Sequence, residues 1–309
     1  MKVLITGGAG FIGTFTKELL VKEGHDVIIV DNLITGSMTN ISQDDIFIHE
    51  DIRNEALHDK LDCYEIDAII HLAAQTSVPQ SIDDPLFDMS ENIEGTIKML
   101  QLAKKLGVKT FIFASSAAVY GDNERCPLTE DERLVPSSPY GISKMCGENY
   151  VKFFCEMNDI NYVILRYANV YGPKQTNDGE GGVIKVFFDK IAKGETPVIF
   201  GDGNQTRDFI YVEDVARAHL FALQSSKSGI YNVSTNVETT INDLVYFIAK
   251  EFGERISPTY KNARPGDIYR SCLDNKKIIS SFGWEPIYTV QDGISKTYEI
   301  ITSNAKENK

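Results

Sequence analysis

Short apolar runs alternate with longer segments of helical period along the first half of this chain. The runs at residues 3–6, 27–30, 46–49, 68–72, 110–114 and 162–166 are rich in Val, Ile and Phe and end at polar or glycine residues, which predicts buried strands. Between them, residues 11–22, 93–106 and 143–156 carry apolar side chains three and four apart, which predicts amphipathic helices. Strands alternating with helices in this way form βαβ units, in which each helix crosses back over a parallel sheet by a right-handed connection. The predicted fold class is α/β, a doubly wound parallel sheet.

After Tyr171 the pattern changes. The segment Asp178-Gly179-Glu180-Gly181-Gly182 leads into another helical stretch, and short strands follow. Residues 208–223 again read as a strand followed by a helix. The expected division is therefore 1–171, with 205–234 returning to the first sheet, and a smaller C-terminal substrate-binding domain made of 172–204 and 235–309. The polar end, residues 303–309, is expected to fray. No internal repeat is present.

Charge and cysteine content narrow the partners. The 309 residues include 44 acidic and 31 basic side chains, a net charge of -13. Such a surface repels nucleic-acid phosphates and anionic lipid, so neither is an expected partner. A small anion can still be held in a cleft by backbone N–H groups and one or two arginines. Cys63, Cys126, Cys146, Cys155 and Cys272 are dispersed without a CxxC pair, which suggests neither a disulfide framework nor a metal site. With no apolar signal stretch at the N-terminus, the expected location is the cytoplasm.

Gly7, Gly10 and Gly13 stand between the first strand and the first helix. Glycine there permits a tight turn, lets backbone approach a pyrophosphate, and leaves the positive helix end facing it. Asp31 closes the second strand at the offset from which a carboxylate accepts hydrogen bonds from an adenosine ribose. No Lys or Arg occurs from Asp31 to Ile48, so an extra 2′-phosphate would meet an unscreened carboxylate. NAD is the expected cofactor. Asp51 and Ile52, after the third strand, are candidates to reach the adenine.

Tyr140 and Lys144 are four apart and share one helical face. The same spacing recurs at Tyr246 and Lys250, within an amphipathic stretch where a tyrosine reads as a core or boundary side chain. Tyr140 differs because it follows a proline at a helix start, and Ser115 and Ser116 end the fifth strand, the sheet edge where ligands bind. A free tyrosine ionises near pH 10, so a neutral-pH base of this kind needs roughly 4 kcal/mol of help. The Lys144 ammonium and a cationic nicotinamide can supply it, while the Ser116 hydroxyl can bond the substrate oxygen.

These residues carry a resemblance. Thr6-Gly7-Gly8-Ala9-Gly10-Phe11-Ile12-Gly13, Asp31-Asn32-Leu33, Asp51-Ile52, His71-Leu72-Ala73-Ala74, Ser115-Ser116-Ala117-Ala118-Val119-Tyr120-Gly121 and Tyr140-Gly141-Ile142-Ser143-Lys144 resemble the extended short-chain dehydrogenase/reductases. Arg166 to Pro173, Gly201-Asp202-Gly203, Arg207 to Asp214 and Arg264-Pro265-Gly266-Asp267 resemble the nucleotide-sugar branch, and within it the UDP-glucose 4-epimerases. The resemblance implies a Rossmann-type domain for NAD and a smaller domain for the UDP-sugar. It implies that Tyr140 is base and acid, Lys144 its electrostatic partner and Ser116 the substrate contact. Cofactor neighbours would be Gly7, Gly10, Phe11, Ile12, Gly13, Asp31, Asn32, Asp51, Ile52, Leu72, Ala73, Ala74, Asn92, Ser115 and Tyr167. The sugar nucleotide would meet Asn169, Val183, Phe200, Gly201, Arg207, Arg264 and Asp267.

The implied reaction interconverts UDP-glucose and UDP-galactose through a transient 4-keto sugar. A dehydratase of this family needs an Asp-Glu pair where Ala117 and Ala118 stand, and decarboxylating relatives tend to carry a Glu there; alanines transfer no proton. A glucuronate 4-epimerase shares the same chemistry at C4 and stays open. A non-catalytic NAD-sensing protein is disfavoured by the intact Ser116, Tyr140 and Lys144. Ser271, a small side chain expected beside the C2 substituent, would leave room for an N-acetyl group. A homodimer is implied through the helices at 93–106 and 143–156, and His71 and His219 are expected to be structural.

Overall fold

The computed structural model describes residues 1–307 apart from 124, 177–181 and 265–267, with side chains as far as Ser303. The first half contains β1 (Lys2–Thr6), α1 (Phe11–Lys22), β2 (Asp26–Asp31), β3 (Ile46–His49), α2 (Ala56–Leu61), β4 (Ala68–His71), α3 (Val78–Asp83), α4 (Pro85–Met89), α5 (Gly95–Lys105), β5 (Thr110–Ser116), α6 (Pro139–Met157) and β6 (Asn161–Tyr167). The second half continues with β7 (Asn169–Tyr171), α7 (Gly182–Ala192), β8 (Val198–Phe200), β9 (Thr206–Arg207), β10 (Phe209–Tyr211), α8 (Val212–Gln224) and β11 (Gly229–Val233). It ends with β12 (Thr239–Thr240), α9 (Ile241–Glu251), β13 (Thr259–Lys261), β14 (Arg270–Ser271), α10 (Lys276–Phe282) and α11 (Val290–Glu307).

Seven parallel strands form the main sheet in the order β11-β6-β5-β4-β1-β2-β3. This is the doubly wound α/β sheet the periodicity predicts. Alternate residues of β1 face opposite sides: Leu4 packs in a core with Met99, Leu100 and Val151, while Val3 and Ile5 pack in another with Leu20, Val215 and Ala218. Both faces are therefore covered, which explains why the strands are apolar throughout rather than alternating. Strand order reverses between β4 and β1, and a crevice opens there at the carboxyl ends.

The chain after β6 makes small sheets, β10-β7, β12-β9-β14 and β13-β8, around a separate apolar core of Tyr171, Phe187, Phe188, Phe209, Leu244, Ile248 and Ile294. Between these pieces β11 pairs with β6 and extends the main sheet.

Three boundaries differ from those read off the pattern. Helix α6 begins at Pro139 rather than 143, because the Ser138 side chain accepts the Gly141 N–H at 3.1 Å and proline fits the first turn. The helix expected from 93 is continuous with α4 through a π-turn at Ser90–Glu94. Helix α11 runs through Glu307 where fraying was expected. Tyr246, read as core or boundary, is exposed, since α9 buries Ile241, Leu244, Val245 and Ile248 instead.

Candidate active site

The crevice is built from the first βα turn upward. Gly7 has φ +70°, and a Cβ on it would lie 2.8 Å from the Ala73 backbone nitrogen. A Cβ on Gly13 would lie 2.2 Å from the Gly7 oxygen. Only glycines let β1, β4 and α1 meet this closely. Gly10 caps α1 without a side chain, so the first-turn N–H groups of Phe11 and Ile12 stay available to an anion in the crevice they line.

Asp31 stands at the end of β2. Its carboxylate accepts the Ala9 N–H at 3.0 Å and the Leu33 N–H at 2.8 Å, and burial pushes its pKa up despite those bonds. Asn32 and Ile52 line the same end of the crevice, together with Glu50 and Glu91. Asp51 does not. Arg53, two residues on, folds back with Nε at 2.8 Å and Nη2 at 2.7 Å, Asn32 adds a bond at 2.9 Å, and the carboxyl is held at about 2.

At the other end, Tyr140, Lys144 and Ser116 all line the crevice and are all buried. Lys144 Nζ donates to the Ala114 carbonyl at 3.0 Å and lies 5.9 Å from the centre of the Tyr140 ring. Ser116 is the last residue of β5, and its Oγ accepts the Ala118 N–H at 3.1 Å at the start of a 3-10 turn. Ser115 also lines the crevice, yet its hydroxyl donates at 2.5 Å to Glu148, which is paired with the buried Arg166 at 2.6 Å. Leu72, Ala73, Ala74 and Tyr167 form the adjoining wall. Asn92 sits in the π-turn behind it: its Nδ2 donates to the Gln75 carbonyl at 3.0 Å and to Ser143 Oγ at 3.0 Å.

Of the residues expected to meet a sugar nucleotide, Asn169 lines the crevice. Phe200, Arg207 and Ser271 lie on the small sheets. The Arg264 guanidinium sits 3.8 Å over the Phe200 ring, Gly201 follows with φ +89°, and Arg207 is in register with Ser271. Val183 packs half-buried against the smaller core. Asp267 lies outside the described residues, as do residues 178–181 of the glycine-rich segment.

Several lining residues carried no motif: Gln75, Thr76, Ser77, Gln80, Phe87 and Gln175. A signal did exist for some of them. Ser77 caps α3 and Pro79 follows, a helix-start signature directly after β4 that places this loop over the crevice. Among the described residues no group of three His, Cys, Asp or Glu could hold a metal ion, and no helix is long and apolar enough to cross a membrane.

Residues 3–234 match the NAD dependent epimerase/dehydratase family. The chain belongs to that family. It is 37% identical over 313 residues to the UDP-glucose 4-epimerase of Mycolicibacterium smegmatis, covering 99% of this chain and 100% of that one. Among solved structures it resembles the UDP-glucose 4-epimerase of Thermotoga maritima with UDP-glucose, at 39% identity and a TM-score of 0.95, covering 99% and 100% of the two chains. It also resembles the UDP-N-acetylglucosamine 4-epimerase of Methanobrevibacter ruminantium in complex with UDP-N-acetylmuramic acid, at 36% identity and a TM-score of 0.93, covering 98% of each.

The NAD on which this epimerase/dehydratase family depends suits the crevice. The turn that a Cβ at Gly13 would disrupt leaves helix N–H groups for a pyrophosphate, and the Asp31 carboxylate matches a ribose diol.

Proposed function

We propose that this enzyme is an NAD-dependent 4-epimerase that interconverts UDP-glucose and UDP-galactose through a transient 4-keto sugar. The observation that carries this reading is the convergence of Tyr140, Lys144 and Ser116 in a crevice that also contains the phosphate turn. In this reading Tyr140 takes the proton of the sugar 4-hydroxyl and returns it to the same oxygen when C4 is reduced on its other face. Lys144 favours the anionic phenol oxygen, and Ser116 holds the hydroxyl that reacts. NAD supplies reversible hydride acceptance at C4 and ends unchanged. Ala117 and Ala118 offer no second acid and base beside the keto sugar, which favours inversion over elimination of water.

The domain division supports the assignment. We assign 1–171 with 205–234 to NAD, because β11 joins the main sheet, and 172–204 with 235–309 to the sugar nucleotide. Asn169 at the junction would meet the hexose, Val183, Phe200 and Gly201 the nucleotide, and Arg207 and Arg264 the diphosphate. Asp267 would contact its ribose. Clamping the UDP half leaves the hexose able to turn over between the two hydride steps. Ser271 beside Arg207 is small, which favours acceptance of N-acetylated hexoses as well.

A homodimer is part of the proposal. Ile142, Tyr150, Phe153 and Met157 form an exposed apolar stripe on α6, and Leu86 and Met89 of α4 are exposed too. Light scattering on the purified chain tests it. The five free cysteines favour a reducing, cytoplasmic location.

The test of the reaction is to incubate the protein separately with UDP-glucose, UDP-N-acetylglucosamine and UDP-glucuronate and to resolve the products. The 4-epimers of the first two should appear without net NADH. A dehydrated product, or inversion of the glucuronate alone, would sink the reading.

A further inference from the structure

Two buried histidines outside the proton-transfer group share one arrangement. Thr16 donates its hydroxyl proton to the Ile12 carbonyl at 3.0 Å, and Thr96 donates to the Asn92 carbonyl at 2.6 Å, each four residues back. Each threonine oxygen is thereby left to accept a ring N–H, from His219 Nδ1 at 2.9 Å and from His71 Nε2 at 3.2 Å. The opposite ring nitrogens then accept. Tyr167 donates to His219 Nε2 at 2.6 Å, and Thr6 donates to His71 Nδ1 at 2.7 Å. This assignment places every proton and fixes one tautomer on each ring. Burial pushes both imidazoles down to about 3, so they stay neutral.

The two rings join different things. His71, itself on β4, bonds Thr6 at the end of β1 and Thr96 on α5, and β1 and β4 are already hydrogen-bonded neighbours. His219, on α8, ties Tyr167 at the end of β6 to Thr16 in the second turn of α1, whose hydroxyl bonds the first-turn Ile12 carbonyl, and no strand pairing links that strand to that helix. Three strand spacings, about 14 Å, separate β6 from β1 in the sheet. Tyr167 and Ile12 both line the crevice.

We propose that His219 is a positioning residue for the dinucleotide: its single-tautomer ring, bonded to Tyr167 and Thr16, holds the nicotinamide-side wall at a fixed separation from the phosphate-binding turn. It touches no ligand itself. The inference rests on the NAD-binding part of the proposed function.

A double-mutant cycle between Thr16 and Tyr167, which are linked through the ring, tests it. Thr16→Val removes the acceptor that fixes the tautomer, and Tyr167→Phe removes the donated proton. NAD is titrated into the full chain freed of bound dinucleotide, with the unfolding midpoint of each variant measured alongside. Each single change should weaken NAD binding about tenfold, the worth of a buried hydrogen bond. The double change should also cost about tenfold rather than about a hundredfold, because either one breaks the same relay. His219→Gln, which keeps a donor and an acceptor, should restore binding to within about threefold of the wild type. Multiplicative losses, unchanged singles, or a Gln variant as weak as His219→Leu would overturn the proposal. Because the readout is NAD affinity, failure of the epimerase reading would show separately, as normal NAD binding without sugar turnover.

Discussion

Lys144 Nζ lies 5.9 Å from the centre of the Tyr140 ring, one turn along α6, and is anchored on the Ala114 carbonyl at 3.0 Å. The anchor matters because a freely moving lysine would average its field away in solvent. A unit charge held about 6 Å from the centre of a phenolate, whose charge is shared between ring and oxygen, contributes on the order of 3 kcal/mol at an effective dielectric of about 20. That is most of the roughly 4 kcal/mol a phenol needs to serve as a base near neutrality.

Replacing Lys144 by Met should therefore lower turnover by about 10²-fold near pH 7, the rate equivalent of that interaction. Part of the loss should be recovered at alkaline pH, where the phenol ionises unaided. A kcat profile from pH 6 to 9 checks this, and a loss independent of pH would point to a structural role instead.

Gly13→Ala should cost about 1–3 kcal/mol of stability and at least about tenfold in NAD affinity, since its Cβ meets the Gly7 oxygen at 2.2 Å and the turn must open. Gly24→Ala is the contrasting change. Its φ of +81° strains an alanine by about 1–2 kcal/mol, but no atom lies within 4 Å, so stability should fall while NAD binding holds. Thermal unfolding and dinucleotide titration separate the two.

Binding should favour NAD over NADP by about 10²-fold or more, because the buried Asp31 carboxylate occupies the place a 2′-phosphate would take. Competitive titration of the two dinucleotides measures the ratio. Asp31→Asn should narrow it, mostly by weakening NAD.

The stability that the two buried histidines contribute should fall between pH 6.5 and 4. Folded His71 and His219 stay neutral down to about 3, whereas the unfolded rings take up protons below the ordinary histidine value of about 6.5. The unfolded state therefore binds more protons in that window, and each histidine costs up to about 1.4 kcal/mol per unit of falling pH. Asp208, raised to about 6 by burial, opposes this between about 6 and 4, because its folded form is the one that gains the proton. Asp31, Asp88, Glu91, Glu130 and Asp214, also raised by burial, oppose it too. The histidine share is therefore read as a difference: unfolding midpoints of the wild type should decline more steeply from pH 6.5 to 4 than those of His219→Gln.

The main sheet was legible because parallel strands buried on both faces leave unbroken apolar runs, and the phosphate turn because close packing at Gly7 and Gly13 excludes every other side chain. Tyr140 and Lys144 were legible from helical spacing next to a strand end. What escaped was set by side-chain pairings outside any regular repeat. The loop at Gln75 to Ser77 is held by Asn92, 17 residues away, through paired bonds at 2.9 and 3.0 Å that no period announces. Asp51, expected at the adenine, is paired with Arg53, two residues away, a contact that falls outside helical and strand repeats alike. The His219 relay joins residues 203 apart.

The most direct test of the account follows the hydrogen on C4. UDP-galactose carrying deuterium at that carbon would be converted by the purified enzyme in ordinary water and the product examined by mass spectrometry and NMR. The account predicts UDP-glucose that keeps the deuterium on C4, with no net change in NADH absorbance. Label lost to solvent, or recovered in free reduced cofactor beside an accumulating 4-keto sugar, would contradict it.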